Sequence, residues 1–213
     1  MKISGYVVAF WGILGLATLS ANASLGDTYR FEVLLDDKPI GEHRFEVETS
    51  GTQQRVFSEA EFKVDFLIFT AYSYEHQSNE VFRDGCLQQI RSTTNDNGTR
   101  YRVEGESTGS GFRVDRGDDV AQAPACIKTF AYWDPKILDQ TQLLNPQTGE
   151  LEAVDVRRTG GDNVEVGDQK VAATRYELQT DELTIELWYN ESLGWVRLSS
   201  DTGKGAKLIY RRI

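Results

Sequence analysis

Histidine is the residue type best suited to acid–base or metal chemistry near neutral pH, and this sequence contains only two, His43 and His76. Both lie in stretches that alternate polar and apolar residues, as strands do when one face of a sheet meets water, and the alternation puts both histidines on the apolar face. If the strands form a sequential meander, the two histidines lie on strands two and four, with backbones roughly 10 Å apart. Zinc requires each ligating nitrogen within about 2.1 Å of the ion. The pattern therefore does not favour a metal site, and we predict no cofactor.

The strand that carries His76 has an unusually polar row on its apolar side. The row consists of Tyr72, Tyr74, His76, Ser78, Glu80 and Phe82. His76 and Glu80 are four residues apart, so their Cα atoms stand about 13 Å apart in a strand, which excludes a direct acid–base pair. Instead, this row can form a partly polar cavity wall that offers hydrogen bonds to a ligand. The alternative is that this edge of the sheet is simply better hydrated.

Several familiar catalytic and nucleotide-binding signatures are missing. The sequence has no Gly-x-Gly-x-x-Gly, no phosphate-binding Gly-Lys-Ser/Thr loop and no His-Glu-x-x-His. Most acidic residues fall on water-facing rows, and no spacing indicates a glycosidase-like carboxylate pair. We therefore predict no catalytic residues.

The alternating pattern predicts two runs of strands. The first run covers residues 29–35, 41–47, 56–66, 72–82, 87–94 and 101–107, and the second covers 154–156, 164–166, 172–179, 183–189, 195–199 and 207–212. Pairs such as Asp84-Gly85 and Asn97-Gly98 are turn signals between them. The predicted fold is mainly β: a single curved antiparallel sheet, a half-barrel-like meander, with short helices between the two runs covering its concave face.

The alternation stops between about residues 117 and 149. Residues 125–132 contain no glycine or proline and are predicted to form two helical turns. Asp134 before Pro135 is typical of a helix N-cap followed by proline at the first helical position, so a second short helix is predicted through Leu138.

Three aromatic residues of this segment need a surface to pack against. Phe130, Tyr132 and Trp133 crowd into four positions, and the apolar surface available to them is the concave face of the predicted sheet. We expect them to plug that face, either as ordinary core residues or as part of a ligand site.

The N-terminal residues are typical of a secretory signal peptide. Lys2 precedes the apolar run 6–19, and Ala21-Asn22-Ala23 gives a small-x-small cleavage site. A membrane span would need about 20 apolar residues, so an uncleaved anchor is the weaker alternative, and we expect no integral membrane anchor after cleavage. The prediction is a signal peptide over 1–23 and a single β-rich domain over 24–213 with a helical insertion near 117–149, in a periplasmic or secreted protein.

The cysteine count and the charge narrow the interpretation further. Cys86 and Cys126 are the only cysteines, so an oxidising compartment would allow one intramolecular disulfide. Two buried free thiols are the alternative. The formal net charge of −10 argues against nucleic acid as a partner and against docking to anionic lipid heads.

Several motifs resemble a family of exported bacterial proteins of unknown function. They are Thr129-Phe130-Ala131-Tyr132-Trp133-Asp134-Pro135, Leu143-Leu144-Asn145-Pro146-Gln147-Thr148-Gly149-Glu150, Leu187-Trp188-Tyr189, and Tyr29-x-Phe31-x-Val33 followed by Pro39-Ile40-Gly41. That family is similar in build to the periplasmic lipoprotein carriers, whose curved antiparallel half-barrel has short helices that plug an apolar cavity. The resemblance implies a fold and assigns no catalytic residue.

These observations favour a periplasmic, non-enzymatic binding or carrier protein for an apolar or amphiphilic, lipid-like ligand. The expected ligand-binding residues are Tyr72, Tyr74, His76, Glu80, Phe130, Tyr132 and Trp133. The alternative is an envelope protein-interaction or structural module with a packed core and an envelope protein as partner. An enzyme acting on envelope glycans or lipids is the third hypothesis.

Overall fold

The structure, a computed structural model, describes residues 25–66, 69–202 and 205–213, so the predicted signal peptide lies outside the described residues. The strands are β1 (Leu25–Leu35), β2 (Lys38–Ser50), β3 (Gln53–Phe66), β4 (Phe69–Arg83), β5 (Cys86–Asp96), β6 (Thr99–Thr108), β7 (Gly111–Asp115), β8 (Val120–Ala123), β9 (Gln142–Leu144), β10 (Leu151–Ala153), β11 (Asp155–Val166), β12 (Gln169–Gln179), β13 (Thr184–Asn190), β14 (Gly194–Asp201) and β15 (Lys207–Arg212). The one helix in the described residues is a 3₁₀ helix at Pro135–Asp139, which is too short to cross a membrane.

Thirteen of these strands form one antiparallel sheet, in the order β11-β12-β13-β14-β15-β1-β2-β3-β4-β5-β6-β7-β8. The first and last strands of this order do not pair with each other, so the sheet is open. β1 is the sixth strand in this order. It pairs with β2 on one side and with β15, the last strand of the chain, on the other. The predicted single antiparallel sheet is confirmed.

Local sequence explains both the strands and their turns. Along each strand, every second side chain points to the inner face. The apolar side chains on that face, among them Phe31, Phe45 and Leu187, are buried in one continuous core. Asn97 and Gly98 both adopt positive φ, as a two-residue hairpin turn between right-twisted strands requires. The turn signals predicted from the sequence therefore connect neighbouring strands directly.

Residues 124–154 form a crossover from β8 at one end of the sheet to β11 at the other. The buried side chains of this crossover, including Ile127, Ile137 and Leu143, pack into the core of the large sheet. The crossover therefore covers the inner face. It carries the 3₁₀ helix and the two-stranded sheet formed by β9 and β10.

The helix predicted over residues 125–132 is wrong. This stretch is irregular: the Leu144 amide donates to the Lys128 carbonyl over 2.8 Å, and Thr129 forms a parallel bridge with Leu144. Strand-like contacts with β9 thus satisfy backbone groups that a helix would pair internally. The second predicted helix is confirmed in position as the 3₁₀ helix, with Asp134 as its N-cap accepting from the Lys136 amide over 3.0 Å.

A second, smaller apolar cluster lies on the outer face. Trp188 points outward from β13 and packs with Val164, Ala173 and Val196. Its indole nitrogen donates to Asp162 over 2.9 Å. These contacts place the tip of the β11–β12 hairpin over the outer surface of its neighbours.

The predicted disulfide between Cys86 and Cys126 is confirmed. The two Cα atoms are 4.6 Å apart and the sulfur atoms are bonded. The bond joins the first residue of β5 to the beginning of the crossover. It therefore ties the crossover to the sheet just before the three aromatic residues.

Candidate functional site

A cavity of about 220 Å³ lies between the inner face of the sheet and the crossover. Its floor is formed by inward-facing residues of β2, β3 and β4, and its roof by residues 130–133 and 145–147. Leu183 and Ile185 of the β12–β13 hairpin close one side. Leu183 is 40% exposed, so the cavity reaches the protein surface there.

The floor contains both histidines of the chain in one row. On β3, Ala60 pairs with His43 of β2 on one side and with His76 of β4 on the other. Because side chains of paired residues point to the same face, both imidazoles face the cavity across a small alanine. The sequence pattern predicted the inward direction of each ring, and the register places them in one row.

The two rings have different hydrogen-bonding environments. His43 uses both nitrogens: Nε2 lies 2.7 Å from Ser58 Oγ, and Nδ1 lies 3.3 Å from the Tyr210 hydroxyl. His76 uses Nδ1, which lies 2.8 Å from Thr94 Oγ1. Burial lowers the pKa of His76 to about 4, and burial together with the nearby His76 lowers the pKa of His43 well below its usual value. Both rings are therefore neutral at pH 7.

Glu80 is a carboxyl group buried at one end of the cavity. Its two oxygens accept hydrogen bonds from Ser78 Oγ over 2.9 Å and from Thr129 Oγ1 over 2.7 Å. Burial raises the pKa of Glu80, and the bonds from Thr129 and Ser78 act in the opposite direction. The contact with Thr129 also connects the floor of the cavity to its roof.

A buried ion pair fixes the roof. Lys128 Nζ donates to Asp134 Oδ2 over 2.8 Å and to the Gly85 carbonyl over 2.5 Å. The other oxygen of Asp134 caps the 3₁₀ helix by accepting from the Lys136 amide. A single carboxylate therefore holds both the start of the helix and the lysine beneath it.

The three aromatic residues of the roof point in different directions. The Trp133 ring meets Phe82 edge-on at 5.6 Å, and the Tyr132 ring lies 5.3 Å from Trp195. Phe130 is partly buried against the core. The backbone carbonyl of Tyr132 accepts from the Tyr189 hydroxyl over 2.8 Å.

The loop 145–149 forms the other half of the roof. Ser92 donates to the Pro146 carbonyl over 2.5 Å, and the Tyr74 hydroxyl donates to Gln147 Oε1 over 3.1 Å. Within the loop, Asn145 Oδ1 accepts from the Gln147 amide over 2.8 Å. These bonds hold a tight turn against β4 and β5.

Ser58 and His43 are the closest approach to a nucleophile–base pair among the described cavity residues. However, β3 is a central strand in which Ser58 pairs with Phe45 on one side and with Ser78 on the other. The neighbouring strands thus occupy the backbone amides that an oxyanion hole would need. The backbone amides next to Ser58 on β3 are therefore not free to stabilise an oxyanion.

Residues 105–109 match the spacing Gly-x-Ser-x-Gly, which marks a nucleophile on a strand–turn–helix unit. Here the segment spans the end of β6 and the turn to β7, and Ser107 is exposed and pairs with Phe112. The match therefore lacks the structural context of a nucleophile elbow.

Larger grooves lie on the outer face of the sheet. One, of about 650 Å³, follows charged rows of β1, β2 and β3. Its charges pair with each other, as in Arg30 with Glu42 at 3.1 Å and Lys63 with Glu61 at 2.8 Å. These are open, solvated surfaces, whereas the inner cavity combines apolar walls with a few polar groups.

Comparison with known proteins places the chain in a family. Residues 31–213 match the family described as "Domain of unknown function (DUF6134)". The chain belongs to this family. None of the curated proteins matches the sequence.

The chain is similar in fold to a solved structure. A beta-barrel-like protein of domain of unknown function DUF1849 from Brucella abortus superimposes with a TM-score of 0.65 at 10% sequence identity. The match covers 87% of this chain and 94% of that protein. At this identity the likeness concerns the fold alone.

In this protein, six of the seven residues expected to bind ligand line the cavity. They are Tyr74, His76, Glu80, Phe130, Tyr132 and Trp133. Tyr72 does not line it; burial and a hydrogen bond with Asp96 raise the pKa of its hydroxyl. A bulge in the pairing of β3 with β4 lies next to Tyr72, which changes the register at this end of the row.

Other cavity residues were not predicted as site residues. Ser58, Gln147 and Tyr210 reach the cavity from β3, the loop and β15. The motif containing Gln147 was recognisable in the sequence, but nothing in it indicated the side on which the loop packs. Across the described residues, no three histidine, cysteine or acidic side chains come together as metal ligands.

Proposed function

We propose that this protein is a non-enzymatic binding or carrier protein, periplasmic or secreted, that takes an apolar or amphiphilic molecule into its central cavity. The observation that carries the proposal is the mixed lining of the cavity. Rings of Phe45, Phe130 and Trp133 stand beside His76 and Tyr132. Small-molecule sites combine apolar walls with a few placed polar groups in this way.

The size of the cavity limits the ligand. Its volume of about 220 Å³ is below the roughly 300–1,000 Å³ of most drug-sized sites. The ligand is therefore a small amphiphile, or one end of a longer molecule whose remainder passes Leu183 to the surface.

The same small volume favours a second candidate, an envelope protein-interaction or structural module. In that case the cavity is a packing defect between sheet and crossover, and the acidic exterior or a sheet edge meets a protein partner. The buried aromatic contacts around Trp195 agree with either function.

Native mass spectrometry on protein purified gently from its own host, followed by organic extraction, separates the two candidates. A reproducible added mass that extracts as an apolar compound supports the carrier. A clean protein mass, with extracts empty of any bound compound, contradicts it and favours the interaction module.

The location of any extracted compound is tested with the indole N–H signals of tryptophan in ¹⁵N–¹H NMR spectra. Trp133 lines the cavity, whereas Trp188 lies in the outer cluster and serves as an internal control. Adding the compound to stripped protein is expected to shift the Trp133 signal and leave the Trp188 signal in place. Ala131→Leu, which narrows the cavity, should weaken binding, and Ala172→Leu on the exposed surface should not.

A further inference from the structure

Most polar groups around the cavity already have partners. Both nitrogens of His43 and both oxygens of Glu80 are hydrogen-bonded, and the Tyr74 hydroxyl donates to Gln147. Two groups differ. Within the described residues, neither Nε2 of His76 nor the hydroxyl of Tyr132 has a hydrogen-bond partner, and both residues line the cavity.

The His76 side chain is inside the protein, with 7% of its surface exposed, and its Nδ1 is fixed by Thr94. Neither Nε2 of His76 nor the Tyr132 hydroxyl is among the fully buried, unpaired polar atoms of the described residues, so both are open to the cavity. A ligand that displaces water from such groups loses affinity unless it replaces their hydrogen bonds. The free nitrogen and the Tyr132 hydroxyl therefore mark where a polar part of the ligand lies.

The charges around the cavity indicate whether the polar head group of the ligand is charged. Both histidines are neutral at pH 7, and the Glu152 carboxylate in the cavity wall already accepts from Asn145 over 2.7 Å. A carboxylate head group would lose its hydration, gain no lysine or arginine partner from the lining residues and lie near the Glu152 carboxylate, which is costly. An uncharged head group avoids this cost.

The direction of the hydrogen bonds limits the choice of uncharged head group further. A neutral imidazole nitrogen either donates or accepts, according to tautomer, and a tyrosine hydroxyl does both. A hydroxyl or a primary amide can meet either arrangement because it both donates and accepts. An ether or an ester can only accept.

We infer that the cavity selects amphiphiles with an uncharged hydroxyl or amide head, which forms hydrogen bonds with His76 Nε2 and the Tyr132 hydroxyl, over carboxylates of the same chain length. This inference rests on the proposed binding function. It makes His76 and Tyr132 specificity-determining residues and leaves His43 a structural one.

The test uses three compounds that share an eight-carbon chain: octan-1-ol, octanamide and octanoate. Each is titrated into the purified protein at about pH 7.5, where octanoate is ionised. Affinity is read from the Trp133 indole signal, with Trp188 as the control for unspecific binding. The alcohol and the amide are expected to bind at least about tenfold more tightly than octanoate.

Two substitutions at His76 separate its nitrogens. His76→Asn places an amide near the position of Nδ1 and keeps a partner for Thr94, while it removes Nε2. His76→Gln extends an amide towards the position of Nε2. We expect H76N to lose about tenfold in affinity for octan-1-ol and H76Q to retain most of it. Tyr132→Phe should weaken octan-1-ol binding by a similar factor.

If the single variants fail to fold, His76→Phe combined with Thr94→Val removes both members of the hydrogen bond and should keep the fold while losing the preference for the alcohol. Equal affinity for all three compounds would overturn the head-group inference and leave the binding function standing. Equal losses in H76N and H76Q would overturn the role given to Nε2. No shift of Trp133 with any compound would contradict both the inference and the binding function at this cavity.

Discussion

His43 and His76 occupy one row of the sheet, on either side of a single strand, and only His43 has both ring nitrogens hydrogen-bonded within the described residues. This difference separates a structural histidine from one that faces the cavity with a free nitrogen. Because burial lowers the pKa of both rings, the free energy of unfolding should depend on pH.

The free energy of unfolding should fall as the pH drops through the range in which His76 titrates in the unfolded chain. The pKa of His76 is about 4 in the folded protein and about 6.5 when unfolded, so the unfolded state binds more protons between these values. The contribution of His76 is fully present above about pH 6.5 and is lost by about pH 4. It amounts to at most about 3 kcal/mol.

Urea unfolding at several pH values, on wild type and on the His76→Phe/Thr94→Val variant, isolates this effect. His43 and Glu80 are present in both proteins, so their contributions largely cancel in the difference. Wild type is expected to lose stability relative to the variant between about pH 6.5 and 4. Two parallel curves would show that His76 titrates alike in the folded and unfolded states.

Removing the disulfide should destabilise the protein and loosen the roof of the cavity. The bond spans 40 residues, and on the chain-entropy model its loss costs roughly 4 kcal/mol. Cys86→Ser/Cys126→Ser is expected to unfold at lower denaturant concentration, with faster amide hydrogen exchange in residues 126–133. Wild type treated with a reductant should reproduce the variant. Unchanged exchange in the crossover would mean that packing alone holds it.

Breaking the buried ion pair should cost much more than breaking an exposed one. The Lys128 side chain is 6% exposed and its partner Asp134 is 12% exposed. Lys128→Met leaves a carboxylate without its counter-charge, at a cost of about 3–5 kcal/mol. Lys128→Met/Asp134→Asn should recover part of this, because asparagine still caps the 3₁₀ helix.

The exposed pair Lys63–Glu61 has the same 2.8 Å separation and serves as the control. Lys63→Met is expected to leave the denaturation midpoint almost unchanged because exposed pairs contribute little. Chemical denaturation of all three variants measures the contrast. Similar effects of Lys128→Met and Lys63→Met would contradict the buried role of Lys128.

Gly149 should tolerate alanine poorly because of both its backbone and its surroundings. Its φ is +74°, and a Cβ atom there would meet Arg116 Cγ at 2.8 Å. Gly51 has a similar φ of +59° and nothing within 4 Å. Each alanine costs about 1–2 kcal/mol for the left-handed conformation, and Gly149→Ala should cost more because of the contact. Equal losses in thermal or chemical unfolding would show that Arg116 moves aside freely.

Local properties of the sequence were sufficient for most strands of the large sheet and for their faces. They did not predict β7, β8, β9 or β10, and the stretches 154–156 and 164–166, predicted as separate strands, are joined in the single strand β11. Alternation with a period of two fixes which side chains share a face, so the inward direction of His43, His76 and Glu80 followed from their spacing alone. Asp134 before Pro135 identified the start of the helix because capping depends on neighbouring residues. Cys86 and Cys126 had a single pairing available.

The tertiary structure decided what depends on distant partners. Pairing of β15 with β1 brings Tyr210 to His43 from 167 positions away, and the register of β3 puts Ala60 between the two histidines. Residues 125–132 had helical periodicity, yet Thr129 and the Lys128 carbonyl find partners on Glu80 and Leu144, which a helix would forgo. The cavity exists because the crossover spans the sheet from end to end and its side chains fill that space incompletely. No local pattern encodes such a gap, because it depends on how segments far apart in sequence pack together.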